Sequence, residues 1–227
     1  MKKLLLLAVA LLGTAYAQAQ TITADDVKAL KGKGDVNIAV ALGSSGDAVR
    51  DVQFSFVVPT GLNLGTPTVG DATTDAGAGA YAVAISDPTA VTGGNKYTVV
   101  VYSEDGEFFN DGTILNIPVT IPTDYADLWT TTSCSLEGIA YTVDDATETA
   151  VADDAYSVLV GLFGDVDKNK SIGVGDISGV ADLVANGTTS TYADAAFAAD
   201  TDGNNSIGVG DISAIASYIA NGSWPTE

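Results

Sequence analysis

Histidine is missing from this chain, and cysteine occurs once, at Cys134. Without an imidazole there is no Ser-His-Asp or Cys-His catalysis, no histidine-ligated zinc and no imidazole proton shuttle. A single thiol forms neither an intrachain disulfide nor a cysteine-rich zinc site, so Cys134 is expected as a buried, reduced side chain. Basic residues are scarce: 9 Lys and Arg stand against 29 Asp and Glu, a formal net charge of −20. Such a surface repels nucleic acid and anionic lipid, and neither is expected as a partner. No apolar run reaches the about 20 residues a membrane span requires.

What is present begins with a leader. Lys2 and Lys3 precede an apolar run from Leu4 to Leu12, and Ala15-Tyr16-Ala17 and Ala17-Gln18-Ala19 offer overlapping A-x-A cleavage sites. That order of parts is a cleaved signal peptide over residues 1–19. The mature protein is therefore expected to be secreted, whether extracellular or at the cell surface.

Residues 20–160 read as β structure. Val52, Phe54 and Phe56 alternate with polar neighbours on one segment, and further strands are expected at 36–42, 80–85, 97–102, 114–121, 137–143 and 155–160. Turn signals separate them, among them Gly43-Ser44-Ser45-Gly46, Pro59-Thr60-Gly61 and Asp111-Gly112. The expectation is an antiparallel β-sandwich, with Pro118 at an edge or a bulge. After Gly164 the period changes. Ile177, Val180, Leu183 and Val184, then Ile212, Ile215 and Ile219, recur at helical spacing, and each helix ends at Asn-Gly. The boundary between the two parts falls at 161–164, giving a second domain over 161–227.

The strongest signal is a repeat. Ser171-Ile172-Gly173-Val174-Gly175-Asp176-Ile177-Ser178 recurs identically at 206–213. Upstream of each copy stands an oxygen series: Asp165, Asp167, Asn169 and Asp176 in the first, Asp200, Asp202, Asn204 and Asp211 in the second. These occupy places 1, 3, 5 and 12 of a twelve-residue loop that leads into a helix. Calcium takes six to eight hard oxygen ligands at about 2.3–2.6 Å, and this spacing wraps them around one ion per loop. The backbone carbonyls of Ser171 and Ser206 complete each set, so two calcium ions are expected. Ile172 and Ile207 are expected to join the loops through a short β contact. Place 6 is glycine in general EF-hands, for its positive φ; here it is Lys170 in one loop and Asn205 in the other.

Paired loops of this form, each followed by one helix, resemble type I dockerins over residues 164–222. The resemblance implies a cohesin-type protein partner, met through Val174-Gly175 and Val209-Gly210. These depart from the hydroxyl pair common in cellulosome dockerins, which leaves the class of cohesin open. More faintly, Gly34-Asp35-Val36, residues 52–62, and Gly106-Glu107-Phe108-Phe109 before Asp111-Gly112-Thr113 resemble cohesin-like and carbohydrate-binding sandwiches, of the jelly-roll kind. The resulting expectation is a mostly β, non-catalytic interaction or scaffold protein of a polysaccharide-degrading or adhesive assembly. The alternatives are a carbohydrate-binding protein docked to such an assembly, and a subunit that associates head to tail with its own copies. Glu104, Asp105 and Glu107 lie in one turn, so no pair of carboxylates is set across a cleft as a glycosidase requires.

Overall fold

The computed structural model describes residues 20–43, 48–72, 81–143 and 148–225. The leader at 1–19 and the turn at 44–46 lie outside the described residues. Thirteen strands come first among those described: β1 Thr21–Ala24, β2 Val27–Lys31, β3 Val36–Gly43, β4 Asp51–Pro59, β5 Asn63–Leu64, β6 Thr68–Val69, β7 Tyr81–Ile85, β8 Thr89–Val91, β9 Gly94–Ser103, β10 Gly112–Thr120, β11 Thr131–Thr142, β12 Glu148–Ala150 and β13 Asp154–Leu162. One sheet runs β1-β3-β10-β5, with β6 also on β10. The other runs β2-β13-β11-β4-β9-β7, with β12 on β11 and β8 on β9.

Alternation explains the layers. Val52, Phe54 and Phe56 point inward from β4 and are fully buried, as are Ile38, Val40, Ile114 and Ile117 from the facing sheet. All belong to one continuous core, so the two sheets form a sandwich. Phe56 stacks on Tyr97 of β9 with centroids 5.6 Å apart. Cys134 lies in this core as a free thiol, and burial pushes it above its ordinary range.

The sandwich departs from the expected antiparallel pattern at one place. β2 pairs with β13 in parallel, Val27 against Val158 and Lys31 against Leu162. The chain leaves β1 for β2 through Asp25-Asp26 without reversing, so β2 enters the second sheet with its direction already set. The crossing is fastened on both sides: Asp26 Oδ1 accepts the Ser157 N–H at 2.7 Å, and Asp154 Oδ2 accepts the Ala24 N–H at 2.9 Å. Pro118 is neither on an outer edge nor at a bulge. It faces Asn37 within β10, and the register shift of that strand falls at Thr113/Leu115. The Pro118 carbonyl accepts the Gly65 N–H at 2.8 Å, which aims its missing N–H into the break between β5 and β6. No ladder hydrogen bond is demanded there.

Two helices follow, α1 Val174–Asn186 and α2 Val209–Asn221, joined through 3₁₀ turns at 187–189 and 193–198. Val166, Val180, Leu183, Ala195, Ala199 and Ile215 make a second, smaller core. α2 ends as expected, with Gly222 left-handed at φ 71° and its N–H on the Tyr218 carbonyl. Gly187, at φ 54° and ψ −125°, instead turns the chain into the first 3₁₀ segment. No helix among the described residues is long and apolar enough to cross a membrane.

Candidate metal centre

Each repeat begins with a loop folded around its own carboxylates. Asp165, Asp167 and Asp176 offer oxygens that all lie within 4.8 Å of one another, and Asp200, Asp202 and Asp211 do the same. At that separation, two ionised carboxylates repel by roughly 3.5 kcal/mol at an effective dielectric near 20. Asp165, Asp176 and Asp211 are fully buried. Burial pushes the carboxyls of Asp165 and Asp176 above their ordinary range. Asp176 adds to the effect on Asp165, and Asp167 to that on Asp176; the Trp129 indole and backbone N–H groups pull Asp165 back, and backbone N–H groups pull Asp176 back.

The last aspartate of each loop caps the helix it precedes. Asp176 Oδ2 accepts the Gly173 N–H at 2.7 Å, while Oδ1 accepts the N–H groups of Val166 and Asp167 at 2.7 and 3.0 Å. Asp211 repeats this with Gly208, Thr201 and Asp202. Loop and helix are thereby one unit. Asn169 and Asn204 each stand beside the middle aspartate, donating from Nδ2 to Oδ2 of Asp167 and Asp202 at 2.9 Å. The Asn169 side-chain oxygen accepts the Ser171 N–H; Ser206 stands at the same place in the second loop.

The donor set fits a hard cation. It is all oxygen, it is triply acidic, and it contains an unsatisfied buried atom: Asp200 Oδ1 has no hydrogen-bond partner. An unpaired buried carboxylate oxygen is costly unless a positive charge faces it. The place-6 residues take the expected conformation, with φ 69° at Lys170 and 62° at Asn205. A second strained lysine escaped the sequence reading. Lys168 has φ 62°, where the other repeat has Gly203 at φ 73°, and that glycine was the available signal.

Val174 and Val209, at the first residue of each helix, are 71% and 72% exposed. Their neighbours Gly175 and Gly210 have a separate reason to be glycine. A Cβ on either would overlap Oδ2 of Asp167 or Asp202. The loops at Ile172 and Ile207 pack both side chains against the small core, and no strand is assigned there.

The sandwich reaches into the first loop. The Trp129 indole N–H donates to Asp165 Oδ2 at 2.6 Å, beside the Lys170 N–H at 2.8 Å on the same oxygen. Trp129 holds φ 62°, a strained value for a bulky side chain, and its own N–H is on the Val160 carbonyl. The ring packs edge-on to Phe197 at 5.6 Å, over Gly161, where a Cβ would come within 3.0 Å of both rings. Lys33 lies 3.8 Å from the centre of the Phe163 ring, a further contact between the two parts.

A sugar platform needs an exposed aromatic ring; on the sandwich Tyr102 is half-buried, and most of the other rings are engaged or buried. Phe109 and Tyr125 are buried, Tyr97 stacks on Phe56, and Arg50 covers Phe108. Glu104, Asp105 and Glu107 are exposed on one turn.

No family model and no curated protein matches this chain. Among solved structures it is similar to the sixth cohesin of Acetivibrio cellulolyticus scaffoldin B, solved with a dockerin mutant. The identity is 18%, with 63% of this chain and 99% of that one covered, at a TM-score of 0.49. It is also similar to a Clostridium thermocellum type I cohesin, OlpA, solved with a dockerin: 16% identity, 63% and 99% covered, TM-score 0.48. A non-cellulosomal cohesin from the archaeon Archaeoglobus fulgidus gives 18% identity, 62% and 91% covered, and a TM-score of 0.42.

Proposed function

We propose that the chain is an exported, non-catalytic interaction protein whose residues 161–227 form a dockerin-like module ordered by two calcium ions. Asp165, Asp167, Asn169, Asp176 and the Ser171 carbonyl would hold one ion; Asp200, Asp202, Asn204, Asp211 and the Ser206 carbonyl would hold the other. Each ion would neutralise carboxylates that otherwise repel, so its binding energy becomes folding energy for a small core. The observation that carries this reading is the duplicated acidic triad, with Asp200 Oδ1 buried and unpartnered in the second copy.

The partner proposed is a cohesin-type protein domain, met by the exposed Val174 and Val209. The buried or occupied state of most candidate rings on the sandwich favours a protein partner over a polysaccharide. Calorimetric titration of the mature chain with calcium tests the metal reading. Two ions per chain are expected, falling to one in Asp211→Asn, and circular dichroism should lose helix signal in excess chelator. No heat of binding, together with unchanged helix content in chelator, would refute it. Retention on immobilised cohesin-type domains in calcium, lost in Val174→Asp/Val209→Asp, tests the partner; retention undiminished in that variant would move the contact elsewhere.

A further inference from the structure

The two loops share their ligand residues but not their surroundings. Asp165 has both carboxylate oxygens engaged: Oδ1 accepts the Asn169 N–H at 3.0 Å, and Oδ2 accepts the Lys170 and Trp129 donors. The corresponding Asp200 accepts the Asn205 N–H on Oδ2 at 3.0 Å and has nothing on Oδ1. The chain has two tryptophans, and the other, Trp224, packs on Phe163 and Tyr218 instead. Trp129 belongs to the sandwich: it lies two residues before β11, its backbone N–H is on β13, and it packs against both cores.

We propose that Trp129 is a positioning residue for the first cation loop, so that the sandwich is part of that site and binding there locks the two halves of the chain together. The proposal rests on the calcium reading above. The indole fixes the rotamer of Asp165 by holding Oδ2, which leaves Oδ1 on the Asn169 N–H within the loop. A donor to the remote oxygen of a metal ligand orients that ligand, and its loss typically costs 10–100-fold in metal affinity. Because Trp129 is anchored to Val160 and wedged on Phe197 over Gly161, the loop cannot tilt away from the sandwich without breaking the bond. The link is one-sided: it touches the first loop and leaves the second alone.

The test uses the full mature chain and calcium. In an Asp202→Asn/Asp211→Asn background, which isolates the first loop, Trp129→Phe keeps a ring on Phe197 but removes the N–H. Affinity for calcium should fall about tenfold. In an Asp167→Asn/Asp176→Asn background, which isolates the second loop, the same change should leave affinity within a factor of two, and this arm also reports that the variant is folded. Independently, in protein with Trp129 intact, the indole N–H resonance of Trp129 should shift as the first loop fills and stay fixed as the second does. Unchanged first-loop affinity in Trp129→Phe, equal losses at both loops, or an indole resonance indifferent to the first loop would each overturn the proposal while calcium binding stands. Failure of the unmutated chain to bind calcium would overturn the calcium reading itself, and this inference with it.

Discussion

The helical part has too few buried residues to be held by its core alone, and its ends are closed by Trp224. That ring stacks on Tyr218 with centroids 4.5 Å apart at 29°, and meets Phe163 edge-on at 4.7 Å and 63°. It also lies against Gly164, whose φ of 86° and missing Cβ leave room for it. Two aromatic pairs contribute about 0.5–1.5 kcal/mol each beyond area burial. With the apolar surface lost from a half-buried indole, Trp224→Ala should cost about 2–4 kcal/mol in saturating calcium. If the helical part melts by itself, each kcal/mol lowers its Tm by about 4–8 °C; if the chain melts as one unit, by about 2–4 °C. Thermal unfolding followed at a helix-sensitive wavelength measures the shift and shows which regime applies. A Tm lowered by less than about 2 °C, or an indole fully exposed to quencher in the folded protein, would refute the closure.

Further outcomes follow from the loops. Lys170→Gly should tighten the first loop about fivefold by relieving about 1 kcal/mol of strain at φ 69°, and Asn205→Gly should change the second less, as separate calorimetric titrations would show. Gly210→Ala should displace Asp202 and weaken the second loop tenfold or more, whereas Val209→Ala should leave calcium affinity unchanged. With Asp165 and Asp176 raised above their unfolded values, the metal-free chain should gain stability as pH falls through their folded pKa values. Calcium affinity should drop over the same window, because protons compete for the same oxygens; chelated melts and titrations across acidic pH check both signs. Sedimentation velocity at rising concentration, with calcium and with chelator, tests head-to-tail self-association. Calcium-dependent growth without a defined end point is the expected signature, and a monomer at every concentration excludes it.

Much of this was legible in the residues because it is periodic. The alternation of Val52, Phe54 and Phe56 names the inner face of β4, and the eight-residue identity at 171–178 and 206–213 locates both loops. What escaped was aperiodic. A parallel pairing between β2 and β13 depends on how the chain crosses at Asp25-Asp26, and no residue pattern within β2 encodes it. Short strands such as β5 and β8 bury too little to show alternation. Gly175 and Gly210 were expected as contact residues through the resemblance to dockerins, yet their missing Cβ atoms make room for Asp167 and Asp202. Trp129 escaped as well, since nothing local marks an indole that donates to a carboxylate 36 residues away.

That single contact changes how the two loops compare. Judged by the repeat alone, the second loop should bind more tightly, because Gly203 and Asn205 take their positive φ more easily than Lys168 and Lys170. The two lysines together weaken the first loop by about 2 kcal/mol. The indole bond to Asp165 acts in the opposite direction, at about 1.5–3 kcal/mol. The terms are close enough to cancel, so the intact chain should fill its loops at similar calcium concentrations. Trp129→Phe should then separate them, with the second filling first. Two well-resolved affinities in the unmutated chain, unchanged by that substitution, would show that backbone strain alone sets the order.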